Sequence, residues 1–223
     1  AWSLEFASPD TIGGVIQKAA IEDVHPPLPY ILYHLLHPVF GEHPFGLRVI
    51  GWFATLLSAA IVVQMGRELH SWRMGIIGGL LLLTYPLVVG HTFLIRHYTL
   101  LMFFATLASW AYWRYSRKWD WRWGALYWVS GALLLYTMYW GAFVLIAHGI
   151  HTLLYRRRGL LWMVLSAGMM GLFLAPWIPS FITQIQSSVL GESGYHSALP
   201  INEEGMGIIR YNLFGKSELL IMI

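Results

Sequence analysis

The chain has 223 residues, of which 57% are hydrophobic, 16% aromatic and 11% charged, with no cysteine and a formal net charge of +3. So many apolar residues with so few charges fall outside the range of soluble domains and point to a helical membrane protein, while the missing cysteines exclude a disulfide framework and a thiolate metal site. The 14 Lys and Arg and 11 Asp and Glu include basic residues that gather at the ends of apolar runs instead of forming a stripe, which argues against nucleic acid as a partner.

Taken in chain order, residues 1–5 do not resemble a signal peptide, and residues 217–223 stop inside a rising apolar run. Both ends are expected to be cuts through a longer protein. Ser8 is expected to cap a first helix, with Pro9 in the first turn, Asp10 favouring its positive end, and Ile12, Val15, Ile16 and Ala19 forming one apolar stripe. Glu22-Asp23-Val24-His25-Pro26-Pro27 joins it to a second helix, and Pro26 biases His25 towards an extended backbone that presents its side chain rigidly. Over residues 26–40, Leu28, Ile31, Leu32, Leu35, Leu36 and Val39 recur at helical spacing, with Tyr30, Tyr33, His34 and His37 between them. The segment is short for a membrane span, which needs about 20 residues, and it is read as an interfacial helix on the outer surface.

Six apolar stretches follow, at residues 47–65, 74–93, 98–112, 123–138, 141–154 and 159–178. Several are shorter than an untilted span, and Trp and Tyr at 110–115, 119–123, 136–140 and at Trp177 supply interfacial ends. With six spans, the basic loops at 67–73, 114–122 and 156–158 share one side, which their Lys and Arg mark as cytoplasmic. Glu5, Asp10, Glu22, Asp23, Glu42, Glu192, Glu203 and Glu204 then share the other, and chemistry is expected there. Gly75, Gly78, Gly79, Gly168 and Gly171 read as sites of close helix packing. His34 with His37, and His148 with His151, lack a nearby carboxylate and make weak metal sites, so no metal ligand is assigned. Residues 184–204 read as an outer loop, with Arg210 and Lys216 before a last apolar run. The expected fold is all-α: a polytopic helical membrane protein with about six transmembrane helices and amphipathic outer-surface helices. An extracytoplasmic loop occupies residues 1–45, a transmembrane core 46–180, a second extracytoplasmic loop 181–207, and the start of a further membrane helix 208–223.

Asp23-Val24-His25-Pro26-Pro27-Leu28, then Phe45-Gly46-Leu47-Arg48, then Arg96-His97-Tyr98 resemble, in that order, membrane glycosyltransferases of the GT-C fold. The protein O-mannosyltransferase and aminoarabinose transferase group is the nearest in pattern, over residues 1–179. The resemblance implies transfer of a sugar from a polyprenyl phosphate to a protein, lipid or glycan acceptor on the extracytoplasmic side of a multi-pass membrane protein. It also implies a catalytic acidic pair that would fall just before Ala1, with Glu5 as a possible substitute one helical turn further on. The departing phosphate gains negative charge, which cationic donors stabilise. Arg96 is the leading candidate, against a snorkelling interfacial arginine; Arg48 either binds phosphate or holds Glu22 or Asp23. His25 either donates to the phosphate or caps the following helix, and Tyr98 either hydrogen bonds the donor or anchors its helix. Asp23 either orients His25 or Arg48 or is a solvated loop acid. The implied reaction is a single displacement with inversion. No cofactor is assigned beyond the lipid-linked sugar, and a divalent metal is left open. Besides membrane lipid, a membrane protein complex is a possible partner, and the alternative reading is a noncatalytic subunit of such a complex that keeps the transferase scaffold.

Overall fold

In a computed structural model, the described residues are 2–8, 11–41 and 44–189, and their regular structure is entirely helical. In chain order the helices are α1 (Trp2–Ala7), α2 (Ile12–Glu22), α3 (Leu28–Phe40), α4 (Pro44–Leu69), α5 (Trp72–Thr84), α6 (Pro86–Thr92), α7 (Tyr98–Lys118), α8 (Trp121–Thr137), α9 (Ala142–Tyr155), α10 (Leu160–Leu174) and α11 (Ile178–Val189). Helix α7 lies between α8 and α4, with α5 on the far side of α4 and α10 on the far side of α8. The helices α1, α2 and α3 form a small cluster that α3 fastens to α4 and α8.

Two stretches are long and apolar enough to cross a membrane, Arg48–Leu69 and Arg157–Gln186, and the pair α5 and α6 makes a third that is bent by 60°. Among the described residues this is two or three spans where six are expected. Helices α8 and α9 have 17 and 14 residues, short of a full crossing. Helix α7 has 21 residues, but Arg114, Arg117 and Lys118 in its last turns and many hydroxyls lower its hydropathy. The expected continuous stretch over 74–93 is broken at Tyr85, which is extended, at φ −65° and ψ 122°, since the following Pro86 disfavours the helical region for the residue before it. At the other end Pro176 and Pro179 do not stop the chain, since they sit in a 3₁₀ turn and in the first turn of α11, where a missing N–H costs nothing. The first residues of the expected outer loop, 181–189, are therefore helical; the rest of that loop, with Glu192, Glu203 and Glu204, and the expected membrane segment 208–223, with Arg210 and Lys216, lie outside the described residues.

Helix α2 is capped by Thr11, whose hydroxyl accepts from Gly14 N at 3.1 Å, one turn later than expected. Ser8 instead closes α1, donating to the Glu5 carbonyl at 2.7 Å, and Pro9 and Asp10 lie outside the described residues. Val15 and Ala19 are buried as the stripe requires, while Ile12 and Ile16 are exposed. Helix α3 is turned further from expectation, for it buries Tyr30 and Tyr33 and exposes Leu35 and Val39. The reason is polar: both tyrosine hydroxyls find acceptors inside the bundle, at Asp23 and at the Arg96 carbonyl.

Long-range contacts sort the two ends of the bundle. Arg114 Nε donates to Glu68 Oε2 at 2.7 Å and Trp110 Nε1 to Glu68 at 3.3 Å, tying the end of α7 to the end of α4. The Trp119 indole lies so close over Gly159 that a Cβ there would come within 1.6 Å of it, which brings the turn before α10 to the same place. All three basic loops therefore sit at the Lys118 end of α7, and His97 sits at the other, about 30 Å away at 1.5 Å per residue.

Glycine permits the closest helix approach, between α4 and α5. A Cβ on Gly66 would lie 2.4 Å from Gly75 Cα, and one on Gly75 would lie 2.3 Å from the Val63 carbonyl oxygen. Both obstacles are backbone, so Gly66→Ala is expected to push the helices apart and cost about 1–3 kcal/mol, read as a lowered melting temperature in detergent. Gly168 and Gly171 differ from the packing role expected of them, since a Cβ at either would meet nothing within 4 Å. Gly168→Ala should leave the melting temperature unchanged or slightly raised.

Candidate functional site

The turn after α2 buries a carboxylate. Asp23 ends that helix in an extended conformation, and its side chain is 1% exposed. Three donors satisfy it: the Tyr30 hydroxyl at Oδ2, Val24 N at Oδ1 at 2.8 Å, and His25 Nδ1 at Oδ1 at 3.1 Å. Burial alone would raise the Asp23 pKa, but the hydrogen bonds from His25 and Tyr30, the His25 charge and the Val24 N–H together hold it below the usual carboxylate range. An ionised carboxylate only accepts, so the proton in the pair belongs to His25 Nδ1. Pro26, buried behind it, fixes the chain so that His25 points across the bundle.

There His25 meets His97, their ring centroids 4.4 Å apart and tilted by 34°. His97 directly precedes α7 and carries no side-chain cap to it; Tyr98 follows, its ring 4.6 Å from His97 and 4.5 Å, edge-on, from His91 of α6. His97 is 3% exposed, and its Nε2 is buried without a hydrogen-bond partner among the described residues. Burial pushes its pKa down to about 3, with the charges of His25, Arg96 and His91 acting the same way and Asp23 opposing.

That depression has a stability consequence with a definite sign. Unfolded His97 takes its proton near pH 6.5, the folded side chain only near 3, so between those values acid favours the unfolded chain. The slope is at most about 1.4 kcal/mol per pH unit. His97→Phe keeps a buried ring and cannot titrate, and it should remove about 1.6 kcal/mol of the stability that the wild type loses between pH 6.5 and pH 5. Paired melting curves at the two pH values give the difference; identical pH dependence in the two proteins would contradict the burial of a neutral His97.

The other expected site residues divide clearly. Arg96 stands in the turn between α6 and α7, half-buried, and its carbonyl accepts a long hydrogen bond of 3.5 Å from Tyr33. Arg48 is exposed in the first turns of α4, three residues before Gly51, whose missing Cβ would lie 2.8 Å from the Thr92 carbonyl. It therefore lies at the His97 end, but it does not hold Asp23, which is satisfied by His25, Tyr30 and Val24. Glu5 is exposed on α1, 3.9 Å from Lys18 Nζ, and belongs to the rim instead of the buried group. The structure thus unites Asp23, His25, Arg96 and Tyr98 through His97 and leaves Glu5 and Arg48 at the edge.

Residues absent from the sequence expectation complete the support. Tyr139, in the 3₁₀ turn Tyr139–Gly141, accepts from Trp177 Nε1 at 2.8 Å and donates to Gln184 Oε1, whose amide in turn donates to the Ala19 carbonyl at 3.0 Å. Burial raises the Tyr139 pKa, the Trp177 bond opposes this, and the charge of Asp23 adds to it. This relay clamps α11 over α2 directly behind the acidic turn. Two apolar cavities lie beside the site. One of about 180 Å³ sits between Leu87, His91, Tyr98 and Met102, and one of about 420 Å³ between Trp52, Leu56, Leu83 and Phe93.

Apolar helices with their large side chains exposed and an acid–imidazole cluster at one end of the bundle define an integral helical membrane protein with a polar site near its surface. Residues 24–183 match the family model of the dolichyl-phosphate-mannose-protein mannosyltransferases, and the chain belongs to that family, whose type is the membrane glycosyltransferase of the mannosyltransferase kind. No curated protein and no solved structure matches the chain.

Proposed function

We infer that the protein transfers a sugar from a polyprenyl-phosphate donor to an extracytoplasmic acceptor, by single displacement with inversion at the sugar carbon. The observation that carries this reading is the convergence of Arg96, the uncapped start of α7 and the Asp23–His25 pair around His97. A phosphate leaving the sugar gains negative charge, and a guanidinium beside free helical N–H groups is suited to receive it. The Asp23 carboxylate holds His25 with Nδ1 protonated, so a further proton on the ring gives a cation that can donate to a phosphate oxygen. Asp23 itself is fully engaged and sits in this scheme as a positioning residue. Tyr98, half-exposed between His91 and His97, would hydrogen bond the donor, and Arg48 at the rim would guide its charge.

The acceptor hydroxyl needs a base. On the family resemblance that base would be a carboxylate pair ahead of α1, a helix packed on the site with Phe6 and Tyr30 ring centroids 5.1 Å apart. The cavities beside Tyr98 and between α4, α5 and α6 have the apolar lining that an isoprenoid chain would need. Six membrane crossings, with α7, α8 and α9 completing the set, and a cytoplasmic basic end would put this site on the extracytoplasmic face. The family's name points to mannose as the sugar. The test is to reconstitute the full polypeptide with radiolabelled polyprenyl-phosphate mannose and follow release of the lipid phosphate. Turnover that depends on Arg96 and His25 supports the reading; a donor left intact with every class of acceptor overturns it.

A further inference from the structure

A second candidate site lies at the opposite end of the bundle. Helices α8, α9 and α10 enclose an open apolar groove of about 530 Å³, which runs from Leu153 and Leu160 past Gly149 and Gly171 to Leu135 and Leu174. Gly149 and Gly171 leave it open, for a Cβ on either would meet nothing within 4 Å. Its wall along α10, 15 residues, is about 22 Å long at 1.5 Å per residue, about three quarters of the roughly 30 Å hydrocarbon core of a bilayer.

The groove begins at the turn that carries Arg156, Arg157 and Arg158. Arg157 folds back, its Nε donating to the Leu153 carbonyl at 3.2 Å, and so closes α9. Elsewhere at this end Arg67, Arg114, Arg117 and Arg122 lie over tryptophan rings, and Arg114 also holds Glu68. Neither Arg156 nor Arg158 meets a carboxylate or lies over a ring among the described residues, and Arg156 is near enough to the Tyr112 hydroxyl to interact with it electrostatically. Helix α10 starts directly after them with no side-chain cap, so its first N–H groups add to the positive potential of the turn. Tyr155 and Trp162, on either side, are exposed, as aromatic side chains are at a membrane interface.

We propose that the turn Arg156 to Arg158 and the α8–α9–α10 groove together bind one anionic phospholipid of the leaflet at the basic end, with its phosphate on Arg156, Arg158 and the start of α10 and an acyl chain in the groove. Two arginines that meet no carboxylate among the described residues, at the mouth of an apolar channel, fit a phosphate joined to a hydrocarbon chain, and a basic recess between membrane helices is a recognised headgroup site. The site is separate from the donor site, which lies around His97 at the far end of α7. It does not depend on the transfer reaction.

The test is native mass spectrometry of the full polypeptide released from nanodiscs of equal phosphatidylglycerol and phosphatidylcholine. The wild type should retain one lipid, with phosphatidylglycerol enriched about tenfold or more, the scale that two phosphate-facing arginines give at a membrane surface. Arg156→Gln with Arg158→Gln, which leaves the Arg157 cap in place, should bring the enrichment close to parity. Gly149→Phe should fill the groove and abolish retention, with a melting temperature in phosphatidylcholine within a few degrees of the wild type. Equal retention of the two lipids by the wild type would overturn the proposal, as would an enrichment that the double arginine variant leaves intact. Retention unchanged in Gly149→Phe would remove the groove from the site, and a change of oligomeric state in that variant would assign the groove to a protein helix; either result overturns it.

Discussion

Arg96→Ala is expected to lower sugar transfer by about 10²–10³-fold, the loss that follows removal of one preorganised donor from a developing anion, while the melting temperature stays within a few degrees. The small structural cost follows from what Arg96 touches, since its only hydrogen bond among the described residues runs through its carbonyl, to Tyr33, and a substitution leaves the carbonyl in place. The large catalytic cost follows from where it stands. The start of α7 lacks a side-chain cap, Tyr98 beside it is 38% exposed, and the guanidinium has no carboxylate among the described residues to neutralise it. Arg96→Lys should fall between the two, because an ammonium keeps the charge and loses the planar fork that grips a phosphate. A loss of less than about threefold in Arg96→Ala would show that phosphate is received elsewhere.

Asp23→Ala should destabilise the protein by about 3–5 kcal/mol, the range seen when one partner of a buried charged pair is removed. Three donors converge on that carboxylate, from Tyr30, Val24 and His25, and alanine would strand all of them in a site that water does not reach. Transfer should fall as well, because His25 would lose the bond that fixes its Nδ1 proton and its ring orientation. Asp23→Asn keeps the shape and one acceptor, so it should retain part of the stability while still losing the carboxylate charge that faces His25. Thermal unfolding of the two variants in one detergent separates the effects. A cost below about 1 kcal/mol for Asp23→Ala would mean that the turn is held by its prolines and not by its acid.

The pieces of the site that could be read from the sequence are those whose meaning is local. Pro26 restrains His25 whatever surrounds it, the acid two residues earlier is close enough to pair with that ring, and Arg96-His97-Tyr98 stands between apolar runs where a charge demands a partner. Tyr30 and Tyr33 were harder, because periodicity assigns the buried face of α3 to leucine and isoleucine. The acceptors that draw these tyrosines inward are 7 and 63 residues away, and no window along the chain contains the second. His97 belongs to the motif but gives no local sign that it, and not its neighbours, is the residue buried against His25. The relay from Trp177 through Tyr139 and Gln184 to Ala19 joins four elements and is visible only when they have folded together. The break at Pro86 was available in principle, since a proline after Tyr85 inside an apolar run is a bend signal, but hydropathy averaged over the run conceals it. The close approach of α4 and α5 was legible in Gly75 and Gly79, yet Gly168 and Gly171, also close together on one apolar helix, face open space, because small residues mark a surface that can be approached without naming what approaches it.

The most direct measurement of the central claim is the anomeric configuration of the transferred sugar. The full polypeptide in proteoliposomes is supplied with a polyprenyl-phosphate sugar of defined configuration, and the product linkage is read by NMR. A single displacement, with Arg96 and His25 receiving the phosphate, predicts inversion relative to the donor. A product that keeps the donor's configuration would contradict it.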